Sequence, residues 1–352
     1  MKKDLRKNRI IKILLNPFSF LYGLITDLRN IFYNHRFIKI KQYNIPIISI
    51  GNIIAGGTGK TPFTMLCINL LRDKYHNIVV VSRGYGRHSK GVLVVSDGKG
   101  NIQQAQMGGD EPVMISKKYP DIPVVVAEVR TEGIDLAINT FKADLILLDD
   151  AFQHRRVGRN CDIVLLNGRR CLGAEQLLPV GDLREKLRNL KRADIVVVNK
   201  SQGNPREEDV KLLNNIFKGP VYDCSFKPTV LVNTRFQKID DAIVLKGKRV
   251  YAFTAIASPE QFKNMLINIG AEVIKLRAYQ DHYYYLSSDF EQIRDDYIAL
   301  ECQYLVTTEK DLVKINSIIF KDLNLVGVGQ EGELGNPISF LEKLNQFVDI
   351  KI

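Results

Sequence analysis

The stretch Gly51-Asn-Ile-Ile-Ala-Gly-Gly-Thr-Gly-Lys-Thr-Pro62 follows the apolar run IPIISIG of residues 45–51 and opens a segment with helical character. Glycines let backbone amides curl around phosphate oxygens, and the start of a helix adds its positive end. Lys60 is then placed to reach the β- and γ-phosphates of a nucleotide, and the Thr61 hydroxyl is placed to ligate magnesium. The stretch therefore predicts a nucleotide-binding strand–loop–helix.

The loop departs from the common phosphate-loop pattern G-x-x-x-x-G-K-[ST] at its first glycine, where this chain has Ile54. Gly56 and Gly57 supply the flexibility instead. The residues that we expect to contact the nucleotide are Ile54, Ala55, Gly56, Gly57, Thr58, Gly59, Lys60 and Thr61.

Short β-branched runs alternate with helical stretches through most of the chain. The runs after the first are NIVVVS (77–82), IPVVVAE (122–128), ADLILLDD (143–150), CDIVLLN (161–167) and ADIVVVNK (193–200). Continuous apolar strands are typical of parallel sheets that are covered on both faces by crossover helices. The pattern predicts an α/β fold of the phosphate-loop NTPase type, with a mostly parallel sheet and helices on both faces.

The alternation restarts after a polar stretch around residues 201–220. Strand-like runs at 228–236, 248–257 and 271–276 are followed by a helical segment at 288–300 and a strand at 303–311. We expect three parts: a basic amphipathic segment at 1–41, a phosphate-loop core at 42–225, and a smaller α/β domain at 226–352.

Two carboxylates, Asp149 and Asp150, end one of the apolar runs. Phosphate-loop enzymes use a strand-end Asp to place the second protein ligand of magnesium. A helix-capping Asp would explain one of the two carboxylates but not both. The cationic residues Arg155 and Arg156 follow closely and could lie beside a phosphate or only stabilise the fold.

The net charge of +11 on 352 residues suggests a polyanionic partner. Residues 1–41 supply +8 of this charge, so the rest of the chain is nearly neutral. A nucleic-acid-binding ATPase would spread its basic residues over the folded body. The charge distribution therefore argues against nucleic acid, and the 45% hydrophobic and 25% charged residues exclude a disordered chain.

The first residues combine a basic cluster with an apolar run. Lys2, Lys3, Arg6, Lys7, Arg9 and Lys12 precede or overlap the run from Ile10 to Ile25, and a second amphipathic stretch reaches Tyr33. Sixteen residues interrupted by Asn16 and Pro17 fall short of the roughly 20 needed to span a bilayer. We expect a helix kinked at Pro17 that lies in the interface of an anionic membrane, although a helix packed on the protein's own core is the alternative.

The cysteines are scattered at long, uneven spacings, which predicts reduced and mostly buried thiols rather than a zinc site or disulfide framework. They are Cys67, Cys161, Cys171, Cys224 and Cys302.

Several short motifs occur in a fixed order along the chain. They are G-N-x-x-x-G-G-T-G-K-T-P (51–62), S-R-G-Y-G (82–86), G-D-E-P (109–112), D-D-x-F-Q-H-R (149–155), L-R-E (183–185), A-x-P-x-x-F (257–262), D-H (281–282) and T-E-K-D (308–311). Each of the later motifs is weak alone, but the ordered set resembles the tetraacyldisaccharide 4′-kinase family of lipid A biosynthesis. The resemblance extends over nearly the whole chain.

This resemblance implies ATP-dependent, magnesium-dependent phosphorylation of the 4′-hydroxyl of a tetraacylated glucosamine disaccharide 1-phosphate, giving lipid IVA at the cytoplasmic face of the bacterial inner membrane. It implies that residues 42–225 are the kinase core and that the domain at 226–352 closes over the active-site cleft. It also implies that Asp110 is the base for the sugar hydroxyl, and that His282 orients Asp110 across the cleft between domains. Lys60, Thr61, Asp149 and Asp150 carry over as phosphate and metal contacts. Arg83 and Arg184 are lesser candidates for contact with the anionic disaccharide.

Two positions differ from the family pattern. Ala151 stands where D-D-G-F is usual, and Tyr283 stands where D-H-H is usual, which leaves His282 as the single histidine there. The main alternative, a GTPase or nucleotide-driven metallochaperone, rests on Asn199-Lys-Ser-Gln202, which is similar to the guanine-reading N-K-x-D. Gln202 replaces the discriminating Asp, and no D-x-x-G follows either strand-end carboxylate.

Overall fold

The computed structural model of the chain describes residues 9–169, 172, 176–315 and 318–349. Four of the basic residues used above, Lys2, Lys3, Arg6 and Lys7, lie outside the described residues, as does Cys171. The other four cysteines are buried free thiols.

The described residues form thirteen strands and ten α-helices. The strands are β1 (Ile47–Asn52), β2 (Ile78–Ser82), β3 (Leu93–Asp97), β4 (Pro123–Val126), β5 (Leu145–Asp149), β6 (Cys161–Asn167), β7 (Ile195–Asn199), β8 (Val221–Val232), β9 (Lys238–Asp241), β10 (Arg249–Thr254), β11 (Glu272–Ala278), β12 (Tyr304–Thr308) and β13 (Leu325–Leu334). The helices are α1 (Arg9–Asn34), α2 (Lys60–Leu71), α3 (Ala105–Gly108), α4 (Asp110–Lys118), α5 (Arg130–Phe141), α6 (Glu207–Ile216), α7 (Pro259–Ile269), α8 (Ser287–Ala299), α9 (Glu309–Leu312) and α10 (Pro337–Val348). Two 3₁₀ helices span Leu187–Arg192 and Ala242–Leu245.

The chain divides into two compact units, each built from separate segments. The first unit contains Met1–Ser82, Val129–Phe226 and Gly332–Ile352. The second unit contains Arg83–Glu128 and Lys227–Glu331. The domain boundaries expected at residues 41 and 225 stay a prediction. The compact units are divided differently, because each combines segments that are distant in the sequence.

The first unit is a parallel sheet in the order β8-β7-β6-β1-β5-β2. Every residue of β1, β2, β5 and β7 is buried, as expected for strands covered on both faces. Because β1 lies at the centre of this sheet, the loop that follows it emerges at the carboxyl edge, where ligands bind in open α/β sheets. The predicted α/β class is confirmed, and this loop is the nucleotide loop predicted from the sequence.

The second unit carries strands in the order β11-β10-β12-β13-β8, with β9 antiparallel to β8. The strands β3 and β4 pair with each other in antiparallel orientation. Aromatic side chains, including Tyr251, Phe253 and Phe290, fill one of the apolar clusters of the second unit. The apolar run at 122–128 lies within the core predicted at 42–225. In the structure it forms β4 and belongs to the second unit.

Candidate active site

The phosphate loop connects β1 to α2 through glycines that the local geometry requires. A Cβ on Gly51 would lie 2.6 Å from the Cβ of Phe152, so the end of β1 has no room for a side chain. Gly59, directly before α2, has φ +88°, and a Cβ there would lie 2.6 Å from Nδ2 of Asn199. No side chain caps the first turn of α2, and uncapped amides at a helix start are the groups that bind anions.

The first residues of the loop are fixed to a neighbouring segment. Ile54 is fully buried and forms a β-bridge with Leu183, and the amide of Ala55 donates to the carbonyl of Asp182 at 2.7 Å. Gly56 has φ +106°. These contacts fix the beginning of the loop.

Gly57 and Thr58 complete the loop. A Cβ on Gly57 would meet nothing within 4 Å, so this position is open. The Thr58 side chain is buried and accepts a 3.0 Å hydrogen bond from Nδ2 of Asn52, at the end of β1.

Asn199, which the sequence offered as part of a guanine-reading motif, binds the phosphate loop itself. Its Nδ2 donates to the Thr58 carbonyl at 3.1 Å, and its Oδ1 accepts from the amide and hydroxyl of Ser201. Both functional groups of the Asn199 amide are therefore used within the fold. This arrangement makes Asn199 a support of the loop, and it removes the main observation behind the GTPase alternative.

Lys60, Asp150 and Arg184 form a charged cluster beside the loop. Asp150 accepts two hydrogen bonds from the Arg184 guanidinium, at 2.6 and 3.1 Å, and lies 3.7 Å from Nζ of Lys60. Burial would raise the pKa of Asp150, but the positive charges of Lys60 and Arg184 outweigh it and hold this pKa below its usual value. Asp150 also has φ +53°, a left-handed conformation that few non-glycine residues adopt outside functional sites.

Asp149 lies at the end of β5 and accepts hydrogen bonds from two hydroxyls of α2. Thr61 Oγ1 donates at 3.2 Å and Thr64 Oγ1 donates at 3.0 Å. No sequence motif pointed to Thr64. Its position about one helical turn after Thr61 nevertheless puts the two hydroxyls on one face of α2. A carboxylate and a hydroxyl this close together are the protein ligands that Mg²⁺ takes beside nucleotide phosphates.

Asp110 and His282, the predicted base and its partner, are in contact within the second unit. Nδ1 of His282 lies 3.0 Å from Oδ2 of Asp110, whose side chain is 1% exposed. Asp110 is the first residue of α4, where the helix dipole favours a negative charge. The sequence placed this contact across a cleft between domains, whereas both residues belong to one unit because Arg83–Glu128 packs with the second half of the chain.

The surroundings of His282 hold its imidazole in one orientation. Nε2 lies 3.2 Å from Nζ of Lys310, and the ring packs against that of Tyr85 at a centroid distance of 5.2 Å. His282 has φ +61°, again in the left-handed region. The next residue, Tyr283, stacks on Tyr279 at 5.1 Å and its hydroxyl donates to Asp289, so the side chain that replaces the family's second histidine is used in the aromatic cluster.

The remaining candidates have different environments. Arg83 is exposed at the start of the second unit. Arg184 is committed to Asp150 in the first unit. Arg155 binds the amino-terminal helix, with its guanidinium 2.9 Å from Oδ1 of Asn34 and over the ring of Tyr33, so its contacts here are structural.

The amino-terminal helix α1 buries its polar face and exposes its apolar face. Its buried residues are small or polar, namely Ser19, Gly23, Thr26, Asn30 and Tyr33. Its exposed residues include large apolar side chains, namely Ile10, Ile13, Leu14, Phe18, Phe20, Leu21, Leu24, Ile25, Leu28, Ile31 and Phe32. Of the described helices it alone is long and apolar enough to cross a membrane. The alternative of an apolar face packed on the protein's own core is wrong, because the apolar face points outward.

The polar face of α1 contacts the segment that carries Arg184. The Tyr22 hydroxyl donates to the Arg184 carbonyl at 2.8 Å, and Asn30 Nδ2 donates to Oε2 of Glu185 at 3.0 Å. Glu185 is fully buried, and although burial would raise its pKa, its hydrogen bonds to Arg192 keep that pKa below its usual value. The helix is thus tied to the same segment that holds Asp150.

No cluster of three or more His, Cys, Asp or Glu side chains within the described ranges is placed to bind a metal. A magnesium ion at this site would therefore combine Thr61 and Asp149 with phosphate oxygens of the nucleotide, which is how Mg²⁺ is usually bound in kinases.

Comparison with known proteins shows the family to which the chain is similar. A family model described as tetraacyldisaccharide-1-P 4′-kinase matches residues 11–349. The tetraacyldisaccharide 4′-kinase of Syntrophus aciditrophicus is 38% identical over 322 residues, which cover 88% of this chain and 86% of that relative. The enzyme of the same name from Aquifex aeolicus is 37% identical over 303 residues, covering 86% and 89%. A crystal structure of LpxK from Aquifex aeolicus in complex with ATP has a TM-score of 0.81 and 32% identity, and the match covers 96% of this chain and 99% of that one.

Proposed function

The chain belongs to the tetraacyldisaccharide-1-P 4′-kinase family, and from this premise we propose that it transfers the γ-phosphoryl group of ATP to the 4′-hydroxyl of a tetraacylated glucosamine disaccharide 1-phosphate. The product is lipid IVA, an intermediate of lipid A. The observation that carries the proposal is the contact of Thr61 with Asp149, directly behind a glycine loop that follows the central strand of the sheet.

ATP is bound by the phosphate loop in this proposal. The segment from Ile54 to Thr61 wraps the phosphates, with Ile54 and Ala55 anchoring its beginning and the uncapped start of α2 meeting the anion. Lys60 neutralises charge on the γ-phosphoryl oxygens during transfer, and Asp150 and Arg184 position Lys60. Magnesium, when bound, offsets further charge on the β- and γ-phosphates, and Thr61 and Asp149 would hold it.

The second unit supplies the base. As the 4′-oxygen bonds to the γ-phosphorus and the bond to the oxygen of ADP breaks, the hydroxyl proton passes to the Asp110 carboxylate. Oδ1 of Asp110 is buried and makes no hydrogen bond within the described part of the chain, whereas Oδ2 contacts His282. His282 orients the carboxylate through Oδ2. Arg83, exposed in the same unit, is a candidate for contact with the anionic disaccharide.

The membrane surface is the site of action in this proposal. A tetraacylated lipid leaves a bilayer only at great cost, about 0.8 kcal/mol for each buried methylene, so the enzyme must come to it. The apolar face of α1 can enter the acyl region, while its polar face stays hydrogen-bonded to the body. The hydrogen bonds between the polar face and the body favour a helix that lies along the membrane surface over one that crosses the membrane. ATP as co-substrate places the protein on the cytoplasmic face of the inner membrane.

An anionic membrane also accounts for the basic charge of the protein. Of the net +11, +8 lies in residues 1–41, and each cation near an anionic surface contributes about 1 kcal/mol to binding. We therefore expect no nucleic-acid partner.

A labelled transfer assay tests the proposal. Full-length protein is incubated with γ-labelled ATP and the disaccharide 1-phosphate in mixed micelles, and the lipids are separated by chromatography. We expect a labelled bisphosphorylated lipid with the wild type, and an Asp110→Ala variant that binds ATP normally but transfers phosphate about 10²–10⁴-fold more slowly. The absence of labelled lipid from the wild-type reaction would refute the kinase assignment, and an Asp110→Ala variant of full activity would remove Asp110 from its role.

A further inference from the structure

A buried lysine, Lys314, lies between two buried carboxylates of the second unit. Its Nζ is 3.1 Å from Oδ2 of Asp110 and 3.2 Å from Oδ1 of Asp311. All three side chains are at most 1% exposed. Burial of a charged group is costly unless it is paired and hydrogen-bonded, so a site of this kind is strongly constrained. Lys314 follows the T-E-K-D motif by three residues, and nothing in the transfer chemistry above uses it.

The two carboxylates depend on Lys314 to different degrees. Asp311 has other donors, since its Oδ2 accepts from the hydroxyls of Thr254 and Thr308, at 2.6 and 2.8 Å, and from the amide of Ala255 at 3.0 Å. Asp110 has fewer cationic partners: His282 and Lys314 both contact it at Oδ2, and the hydroxyl of Tyr284 is a further, uncharged partner. Lys314 is therefore the main positive charge that faces the proposed base.

A second lysine, Lys310, determines the hydrogen-bonding direction of His282. Nδ1 of His282 faces the carboxylate of Asp110 and therefore donates to it, and Nε2 faces the ammonium of Lys310 at 3.2 Å and therefore accepts from it. With Nε2 occupied in this way, the imidazole has no free atom to accept a proton from a substrate. The base that remains is Asp110.

We propose that Lys314 is a positioning residue for phosphoryl transfer, which together with His282 fixes Oδ2 of Asp110 and so holds this carboxylate in the orientation that accepts the hydroxyl proton. The inference rests on the proposed kinase function. Lys314 touches neither the nucleotide nor the acceptor in this account; it acts by holding a carboxylate whose displacement by about 1 Å can lower a rate about 10²-fold. Asp311, fixed by its own three donors, holds Lys314 in place.

Lys314→Met removes the ammonium group and keeps much of the side-chain volume. We expect kcat to fall about 10²-fold, with KM for ATP and the affinity for ATP within about twofold of wild type, because Lys314 and both of its carboxylate partners belong to the second unit, whereas the phosphate loop belongs to the first. A purely structural lysine would instead lower the melting temperature and the amount of folded protein without this change in kcat. A kcat within about threefold of wild type overturns the proposal.

Lys118 offers a matched control in the same unit. Its Nζ binds the buried Glu309 carboxylate, at 3.0 and 3.3 Å, and the Gln330 carbonyl. Lys118→Met therefore also breaks a partly buried ion pair, in the same T-E-K-D segment, but leaves Asp110 untouched. We expect a lower melting temperature with kcat within about twofold of wild type. A loss of kcat equal to that of Lys314→Met would show that any damage to this segment lowers the rate, and would overturn the proposal.

A double variant separates the two carboxylates. If Lys314 only offsets the charge of Asp311, then Asp311→Asn combined with Lys314→Met restores both the melting temperature and kcat, which contradicts the proposal. If Lys314 serves Asp110, the double variant regains stability while its kcat remains about 10²-fold below that of Asp311→Asn alone. This comparison also decides the matter if Lys314→Met does not fold.

Failure of this inference is distinguishable from failure of the kinase assignment. A wild type without transfer activity refutes the assignment, whereas an active wild type with an equally active Lys314→Met variant refutes only the role of Lys314.

Discussion

The apolar face of α1 allows a quantitative prediction for membrane binding. Leu14, Phe18 and Phe20 expose between 63% and 77% of their surface. Full burial of such a side chain is worth about 1.5–3 kcal/mol, so the exposed two thirds contribute about 1–2 kcal/mol each when they enter the acyl region. Replacing all three by Ala keeps the helix propensity and removes about 3–6 kcal/mol, which corresponds to binding about 10²–10⁴-fold weaker.

The assay is sedimentation with large unilamellar vesicles that contain anionic lipid, over a range of lipid concentrations. A matched control replaces Leu286, Ile298 and Ile338 by Ala; these side chains expose between 56% and 71% of their surface but lie outside α1. We expect the control to bind like the wild type. Binding of the α1 variant within about threefold of wild type, or an equal loss in the control, would refute the reasoning.

Two further predictions concern carboxylates of the first unit. Asp149→Asn removes the charge that faces Thr61 and Thr64, so the Mg²⁺ concentration needed for half-maximal turnover should rise at least about 10-fold, and an unchanged Mg²⁺ titration would exclude Asp149 as a ligand. Burial raises the pKa of Asp194 to about 6, so its folded state binds more protons than its unfolded state and its ionisation destabilises the fold as pH rises from about 4 to about 6. Asp194→Asn should therefore increase the free energy of unfolding by about 1–3 kcal/mol at pH 8 and by less at pH 5; urea unfolding at both pH values measures this, and an equal effect at the two would contradict it.

The sheet and the family could be predicted because their signals are local. Five apolar runs form buried strands of the first unit. They could be recognised because a strand covered on both faces is apolar at successive positions and does not alternate with polar residues. The ordered motifs identified the family, which the matches over most of the chain confirm. What the motifs could not give is the grouping of Arg83–Glu128 with Lys227–Glu331, because contacts between distant segments leave no local pattern.

The amino-terminal helix is one element rather than two stretches. The sequence predicted an apolar run from Ile10 to Ile25 kinked at Pro17 and a second amphipathic stretch to Tyr33, and α1 runs without a break from Arg9 to Asn34 with Pro17 inside it. The kink itself stays a prediction. Proline removes a backbone donor and usually ends a helix. Here the part of the helix after Pro17 is held by hydrogen bonds from Tyr22 and Asn30 to the body, so tertiary contacts outweigh the local preference.

The candidate site was only partly visible in the sequence. Asp110 and His282 are 172 residues apart, and only the resemblance connected them before the structure placed them 3.0 Å apart. Asn199 was visible as a motif, but its contact with the Thr58 carbonyl could not be foreseen from the motif. Lys314 carried no signal at all, because a single lysine in a charged segment is ordinary and only its burial between two carboxylates makes it informative.

The central claim is that this protein phosphorylates one particular hydroxyl, and the position of the new phosphate tests it most directly. The wild-type protein is incubated with ATP and the disaccharide 1-phosphate lipid, and the purified product is examined by two-dimensional phosphorus–proton correlation spectroscopy. We predict a new phosphomonoester signal that correlates with the proton on carbon 4′, beside the original signal at carbon 1. A new phosphate at any other carbon, or a product with the 1-phosphate alone, would contradict the account.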